Sequence, residues 1–344
     1  MRRLGLACIA VLVSSGVALA QDEVAFEQFA DGSQVADNEV SVDTLEALTD
    51  RFLTEMLDFR TLGSLTQKGS NSVNTIEYSG SVGNVVQRFH GEQSVSNVAA
   101  LGSYAVAGVL FQEGTNIAGV ASAQTLTFAD QLFASDARQL IFNSAELGLL
   151  TGSVSQRGSN TANMAIAEYA IGTANQTIAL GAVQRIDNRL QLAAGASIDA
   201  HISQYGENFG NVMRSEVVET ATRTFAGDQI VHNVATLQEL SDARIEQHGI
   251  NVANLVQSSR IGSISQVSIG TQTVINEVYG PDGQLLTGGN IVQTSDSMVN
   301  VTILTAPEGG NDNGVLSVDQ NAGFPQSSNA NGGSQSGNTA VISR

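Results

Sequence analysis

The sequence is poor in the residues that cross-link or anchor a compact core. Its 344 residues include no tryptophan, one cysteine and three prolines, and only 5% are aromatic. The cysteine, Cys8, lies in a predicted signal segment, so the remaining chain is expected to fold without disulfides. Because 42% of the residues are hydrophobic, mostly Val, Ala, Ile and Leu, we expect an ordered chain with a thin, layered core.

Basic residues are also scarce. The chain has 15 Lys and Arg against 33 Asp and Glu, which gives a formal net charge of −18. Such a chain repels phosphate backbones, so nucleic acid is not expected as a partner. The acidic excess is expected to keep an exported chain soluble.

The N-terminus has the three parts of a secretory signal. Arg2 and Arg3 form a basic start, residues 4–17 are apolar, and Ala18-Leu19-Ala20 is a typical cleavage site. This predicts a signal peptide over residues 1–20, cleaved near Ala20. The mature chain is then secreted, extracellular or associated with the cell surface.

A phrase of Gln, Gly and Asn returns six times. The stretch VSQRGSNTANMAI is one copy, and neighbouring copies are 45, 44, 48, 43 and 46 residues apart. Gly follows the glutamine by two residues in five copies. The glutamines are Gln67, Gln112, Gln156, Gln204, Gln247 and Gln293, and the asparagines four residues later are Asn71, Asn116, Asn160, Asn208 and Asn251.

A second phrase alternates with the first at the same period. Its glutamines are Gln93, Gln139, Gln184, Gln229 and Gln272, and its asparagines are Asn97, Asn143, Asn188, Asn233 and Asn276. Val or Ile lies midway between each pair. Two motifs repeating in phase are typical of a solenoid protein.

The fixed positions are two residues apart, which places them on one face of a β-strand. The residue after each first-phrase glutamine varies between Lys, Glu, Arg, Tyr, His and Thr, so it is expected to face solvent. Buried amides are costly unless hydrogen-bonded, but stacked copies can bond to one another as a ladder. We therefore predict an all-β solenoid, or β-helix, with Gln and Asn ladders. One layer could hold about 22 or about 45 residues, and the kinship of the two phrases favours two short coils per unit.

The first phrase resembles the curlin repeat of bacterial curli fibres, which runs roughly Q-x-G-x-x-N-x-A-x-x-x-Q. Gln247, Gly249, Asn251, Ala253 and Gln257 carry the resemblance over residues 65 to about 300. The chain has one residue fewer between Gly and Asn, and most copies lack the closing Gln. The resemblance implies an exported β-solenoid subunit that polymerises at the cell surface.

The flanking segments have different patterns. Residues 21–60 form an N-terminal segment in which 41–59 has helical spacing, which predicts either a cap on the first coil or a docking helix for export or anchoring machinery. The solenoid is expected over 61–305, with a hairpin at 280–289. Residues 306–344, rich in Gly, Asn and Ser, are predicted to be a flexible tail, and their GGNDNG stretch lacks the full spacing of a calcium loop.

No catalytic, metal-binding or cofactor-binding group stands out. The four histidines form no ligand motif, and neither a nucleophile elbow nor a phosphate loop is present. A polysaccharide-cleaving β-helix would need clustered carboxylates, and the candidates are Asp130 with Asp136 and Asp187 with Asp199. These lie at variable positions, so we do not expect an enzyme.

The sequence thus favours an exported structural protein, either a self-assembling fibre subunit or an adhesin of an attachment or biofilm matrix. Its expected partners are copies of itself or related repeat subunits, outer-membrane export or anchoring machinery, and surface polysaccharide. One alternative is a monomeric capped solenoid that serves as a holdfast, surface anchor or spacer. The other is the polysaccharide-acting β-helix enzyme.

Overall fold

The computed structural model describes residues 24–41, 60–196, 200–237, 243–280, 283–285 and 290–305, and the backbone of 315–322, 326–329, 332–336 and 339–343. The predicted signal segment and residues 42–59 of the predicted helix lie outside these ranges. The elements that lie within these ranges and are named below are all strands. The described residues include no helix long and apolar enough to cross a membrane.

The described N-terminal half of the molecule contains ten strands. They are β1 (Val24–Ala30), β2 (Ser33–Ser41), β3 (Arg60–Leu62), β4 (Leu65–Glu77), β5 (Ser81–Phe89), β6 (Glu92–Val106), β7 (Val109–Phe133), β8 (Arg138–Leu150), β9 (Ser153–Ile178) and β10 (Val183–Ala196). Those of the C-terminal half become shorter. They are β11 (His201–Phe225), β12 (Asp228–Leu237), β13 (Arg244–Val252), β14 (Leu255–Ser268), β15 (Thr271–Tyr279), β16 (Ile291–Met298), β17 (Val301–Thr305), β18 (Val315–Ala322), β19 (Gln326–Asn329), β20 (Gly332–Ser336) and β21 (Thr339–Ser343).

These strands form two parallel sheets that run the length of the molecule. The first sheet has the order β1-β5-β7-β9-β11-β13-β16-β20, with β4 beside β7 and β14 beside β11. The second sheet has the order β19-β15-β12-β10-β8-β6-β2. Strands that are paired come from successive repeats, so the predicted all-β solenoid is confirmed.

One coil of the solenoid contains about 45 residues. Gln112 pairs with Gln67 and Gln156 in the first sheet, and Gln139 pairs with Gln93 and Gln184 in the second. The two phrases therefore lie in different sheets of the same coil and never stack on each other. The interpretation of two short coils per unit is wrong. The two phrases have similar residues because they face each other across one core, and not because one stacks on the other.

The longest strands supply two faces of a coil because they bend in the middle. The bend falls on a residue with positive φ in most coils: Asn74, Gly119, Asn163, Asn211 and Asn300, with φ between 50° and 69°. Asn and Gly tolerate this left-handed conformation better than other residues. The residue seven positions after the first-phrase glutamine therefore marks the corner of the coil, and it is Asn in four of these coils and Gly119 in the fifth.

The core between the two phrases is as thin as the composition predicts. A single apolar row, Val95, Ile141, Ile186, Val231 and Val274, faces the repeated glycines. A β-carbon on Gly158 would lie 2.5 Å from Cγ2 of Ile186, and the equivalent distances in other coils are 2.3–2.5 Å. The glycines are required because the sheets approach too closely for any side chain.

The solenoid begins earlier than predicted. Strands β1 and β2 already belong to its first coil, since β1 pairs with β5 and β2 with β6. Ser41 pairs with Ala100 and Arg60 with Tyr104, so 18 residues, 42–59, separate Ser41 from Arg60 along the chain, whereas three residues separate Ala100 from Tyr104. The boundary expected near residue 61 is therefore wrong, because the segment before the insertion carries its own Gln and Asn copies.

The C-terminal segment differs from the expected flexible tail at four places. Strands β18, β19, β20 and β21 pair in parallel with β14, β15, β16 and β17. Gln320 aligns with Gln266 and Gln326 with Gln272, so backbone pairing to an exposed edge orders residues of low intrinsic strand preference. The hairpin predicted at 280–289 is seen at its base, where Tyr279 and Leu285 form an antiparallel bridge.

Candidate functional site

All 21 glutamines and asparagines of the two phrases point into the core. None is more than 8% exposed. The amides of successive coils bond to one another at 2.7–2.8 Å along the first-phrase glutamines and 2.7–2.9 Å along the second. The asparagine rows have distances of 2.8–3.0 Å and 2.7–2.8 Å. The predicted ladders are therefore present in every coil that the phrases mark.

The glutamine and asparagine ladders have opposite directions. Gln112 donates from Nε2 to Oε1 of Gln67 in the preceding coil. Asn71 donates from Nδ2 to Oδ1 of Asn116 in the following coil. The second phrase repeats this, as Gln139 donates to Gln93 and Asn97 donates to Asn143. Each end of the stack thus has a fixed set of donors and acceptors.

Each amide also joins the two sheets. Gln156 donates from Nε2 to the backbone oxygens of Asn143 at 3.1 Å and Arg189 at 2.8 Å, both in the second sheet. These oxygens belong to two successive coils. One side chain therefore links two coils and two sheets, which explains why the same residue is needed in every repeat.

Two further ladders and an extra coil were missed by sequence reasoning. Gln28, Gln87, Gln131 and Gln176 form a third glutamine row with distances of 2.7–2.9 Å. The corner asparagines Asn163, Asn211, Asn254 and Asn300 form another row with distances of 2.7–3.0 Å. Gln34 and Asn38 add a first-coil copy of the second phrase. The period of the third row was visible from Gln87 onward, but the insertion lengthens its first interval to 59 residues.

One residue interrupts the third row. Arg223 lies between Gln176 and Gln266 in the register of β9, β11 and β14. Its side chain is fully buried, and its three guanidinium nitrogens have no hydrogen-bond partner within the described residues. The Oε1 atom of Gln176, which would accept from a glutamine here, is also unpartnered. Burial lowers the pKa of Arg223 to about 9, so the buried group is charged at neutral pH.

The first coil presents an open edge. Strands β1 and β2 each pair on one side only within the described part of the chain. The amides of Gln28 and Gln34 donate to Thr75 O at 3.3 Å and Ser72 O at 3.4 Å, which are long hydrogen bonds. These end groups retain capacity for a further partner.

The outward positions carry ion pairs and ring contacts, as their variability predicts. Lys68 lies 2.8 Å from Glu113 and also contacts the ring of Phe111 at 5.0 Å. Tyr205 packs on His248 with ring centroids 5.2 Å apart. Burial and a hydrogen bond to Glu207 raise the pKa of Tyr205, which therefore stays neutral.

Two of the carboxylates considered for catalysis each contact a basic side chain. Asp130 pairs with Arg88 at 2.9 Å, and Asp136 lies 3.0 Å from His90. Asp199 lies outside the described residues. No group of three or more potential metal ligands occurs in the part of the chain that the structure describes.

Asp187 belongs instead to an ion-pair network on the outer face of the second sheet. Its carboxylate lies 2.7 Å from Arg185 and 3.4 Å from His232, and His232 lies 3.5 Å from Glu277. Burial raises the pKa of Asp187, but hydrogen bonds from His232 and Arg185 outweigh burial and hold it below its ordinary value. The network links three successive coils.

Comparison with known proteins gives no match. No protein-family model fits the sequence, and no curated protein or solved structure is significantly similar to it. The resemblance to the curlin repeat therefore rests on the motif residues alone.

Proposed function

We propose that the chain is an exported structural protein that assembles head to tail into fibres of an attachment or biofilm matrix. The observation that supports this is the opposite direction of the two kinds of ladder. At the N-terminal end, glutamines offer Nε2 donors and asparagines offer Oδ1 acceptors. Towards the C-terminal end, the same directions leave a glutamine Oε1 acceptor at Gln293 and an asparagine Nδ2 donor at Asn276, the last described amides of their rows.

This polarity favours one stacking mode. When the N-terminal end of one copy meets the C-terminal end of another, donors would meet acceptors in each row that ends in an amide. Stacking two identical ends would place like groups together. The unpaired edges of β1 and β2 would supply the backbone hydrogen bonds of the junction. Secretion through the predicted signal segment would deliver the subunit to the cell surface.

A monomeric solenoid that serves as an anchor or spacer is the second candidate. The C-terminal coils favour it because their strands shorten to 4–8 residues from β16 onward. Ser295 and Ser297 also replace the usual Gly and Asn there, and their buried hydroxyls lack partners within the described residues. A tapered end gives a second copy less backbone to pair with.

Electron microscopy and fibre diffraction of the chain from Gln21 onward distinguish these functions. The expected result at neutral pH and physiological salt is unbranched fibres with a reflection near about 4.8 Å along the axis. Monodisperse rods that persist at high concentration would contradict the fibre proposal and favour the monomeric anchor.

A charge-matched pair of variants tests the junction itself. The double variant Gln28→Glu and Gln34→Glu keeps the oxygens that accept from Gln87 and Gln93 but removes the donors at the open edge. The control, Phe29→Glu and Val35→Glu, adds the same charge at exposed outward positions of the same strands. We expect the first variant to slow fibre growth far more than the control. Equal effects would show that the glutamine rows do not form the junction.

A further inference from the structure

The outer face of the second sheet contains a shallow concavity of about 470 Å³. It extends across β8, β10, β12 and β15, which belong to four successive coils. Two adjacent rows of outward side chains form it. One row is Ser144, Arg189, Val234 and Glu277, and the other is Glu146, Gln191, Thr236 and Tyr279.

The charged groups around the concavity are largely engaged with one another. His232 lies between Asp187 and Glu277, and the guanidinium of Arg189 lies 5.7 Å from the ring centroid of Phe142. By contrast, the side chains of Ser144, Gln191 and Thr236 have no hydrogen-bond partner among the described residues. The side chains that remain free to bond to a ligand are therefore uncharged, and they include both hydrogen-bond donors and acceptors.

Two aromatic rings lie at opposite ends of this region. Phe142 is on β8 and Tyr279 is on β15, three strand spacings or about 14 Å away along the axis. A hydrogen bond to Glu277 raises the pKa of Tyr279, so its phenol is neutral. Both rings offer a flat apolar surface, and the tyrosine adds a polar hydroxyl at its edge.

The charge of the site decides the ligand class. Glu146 and Glu277 line the concavity, against one arginine, and the whole chain carries a formal charge of −18. An anionic polymer would be repelled. A ligand with many neutral hydroxyls and with apolar C–H faces would match both the unpartnered polar side chains and the rings.

We propose that this concavity binds a neutral, linear oligosaccharide lying along the solenoid axis. Gln191 and Thr236 would bond to its hydroxyls, and Phe142 and Tyr279 would pack against its sugar rings. The site is complete within one chain, so the proposal does not rest on fibre assembly.

The test is calorimetric titration of the unassembled chain with three neutral hexasaccharides: cellohexaose, N-acetylchitohexaose and mannohexaose. We expect at least one to bind, and Tyr279→Ala and Gln191→Ala each to weaken its binding about fivefold or more. Hexagalacturonate, an anionic sugar of the same length, is expected to bind at least about tenfold more weakly.

Tyr205→Ala is the matched control, because Tyr205 is an outward tyrosine of the other sheet and should leave binding unchanged. Failure of all three neutral sugars to bind would overturn the proposal. It would also be overturned if hexagalacturonate bound more tightly, or if Tyr205→Ala weakened binding as much as Tyr279→Ala did. Circular dichroism of each variant separates loss of binding from loss of fold.

Discussion

Replacing Arg223 by glutamine should stabilise the protein. The third glutamine row is continuous from Gln28 to Gln176, and Arg223 occupies the next position. In the preceding coil, Gln176 donates to Oε1 of Gln131 and to the backbone oxygens of Asn163 and Val212 at 2.7–3.0 Å. A glutamine at position 223 would find the equivalent acceptors in its own coil.

The size of this stabilisation follows from the free energy of burying the charge of Arg223. A pKa lowered from 12.5 to about 9 corresponds to about 5 kcal/mol of unfavourable free energy for the charged group. New amide hydrogen bonds would stabilise the folded variant by about 1 kcal/mol each. Losing part of the apolar arginine stem would cost about the same in total, so these two effects cancel. We expect Arg223→Gln to raise the free energy of unfolding by about 5 kcal/mol, or the Tm by about 8 °C.

Urea unfolding followed by circular dichroism measures this effect. Arg214→Gln is the control, because Arg214 is an exposed arginine on the same strand and its replacement should change stability by less than about 0.5 kcal/mol. The reverse change, Gln131→Arg, should destabilise by a comparable or larger amount, since it breaks the three hydrogen bonds that Gln131 donates and the one that it accepts from Gln176. If Arg223→Gln were neutral or destabilising, the guanidinium would have to be satisfied in solution, and the account of the broken row would be refuted.

Three other changes test the core and the outer face. Gln156→Leu should cost about 3 kcal/mol because it leaves buried amide and carbonyl groups unpaired, whereas outward Arg157→Ser should cost less than about 1; equal losses of Tm would contradict the inward assignment. Gly158→Ala should cost about 1–3 kcal/mol through its contact with Ile186, and a Tm unchanged from the wild type would show that the sheets can separate. Asp187 has a lowered pKa, so the stability it contributes is present above about pH 3.9 and is lost as pH falls through its folded pKa. Asp187→Asn should therefore reduce the loss of stability between pH 5 and pH 3, and an identical pH dependence of the unfolding free energy in both proteins would rule this out.

The inward rows of the solenoid could be predicted because repetition fixes them. A single buried glutamine carries no signal, but Gln67, Gln112 and Gln156 at one interval show that each amide has an identical neighbour. The length of the coil could not be predicted in the same way. The two phrases resemble each other because both line the same narrow core, and only the backbone pairing separates facing strands from stacked ones.

The ends were harder to predict than the middle. The insertion after Ser41 hid the first coil by lengthening its period, and the Gly- and Asn-rich composition after residue 305 concealed strands that pair with an existing edge. Arg223 could not be recognised for a related reason, because it interrupts a row whose first interval the insertion lengthens to 59 residues. Local composition is a poor predictor of secondary structure where a strand forms by pairing with the neighbouring coil.

The two faces of each strand therefore have separate roles. Inward positions are restricted by the next coil, since each amide must meet an identical amide and each glycine must admit a facing Val or Ile. Outward positions are free of this restriction, and the surface ion pairs, the ring of Tyr205 and the proposed oligosaccharide site lie there. Because one residue in a strand faces the core and the next faces solvent, changes in assembly and changes in ligand binding should be separable at adjacent positions. Gln191→Ala should weaken sugar binding without altering fibre growth, while the Gln28 and Gln34 variants should do the reverse. Loss of sugar binding in the Gln28 and Gln34 variants would contradict a site that is complete within one chain, and loss of fibre growth in Gln191→Ala would contradict the separation of the two faces.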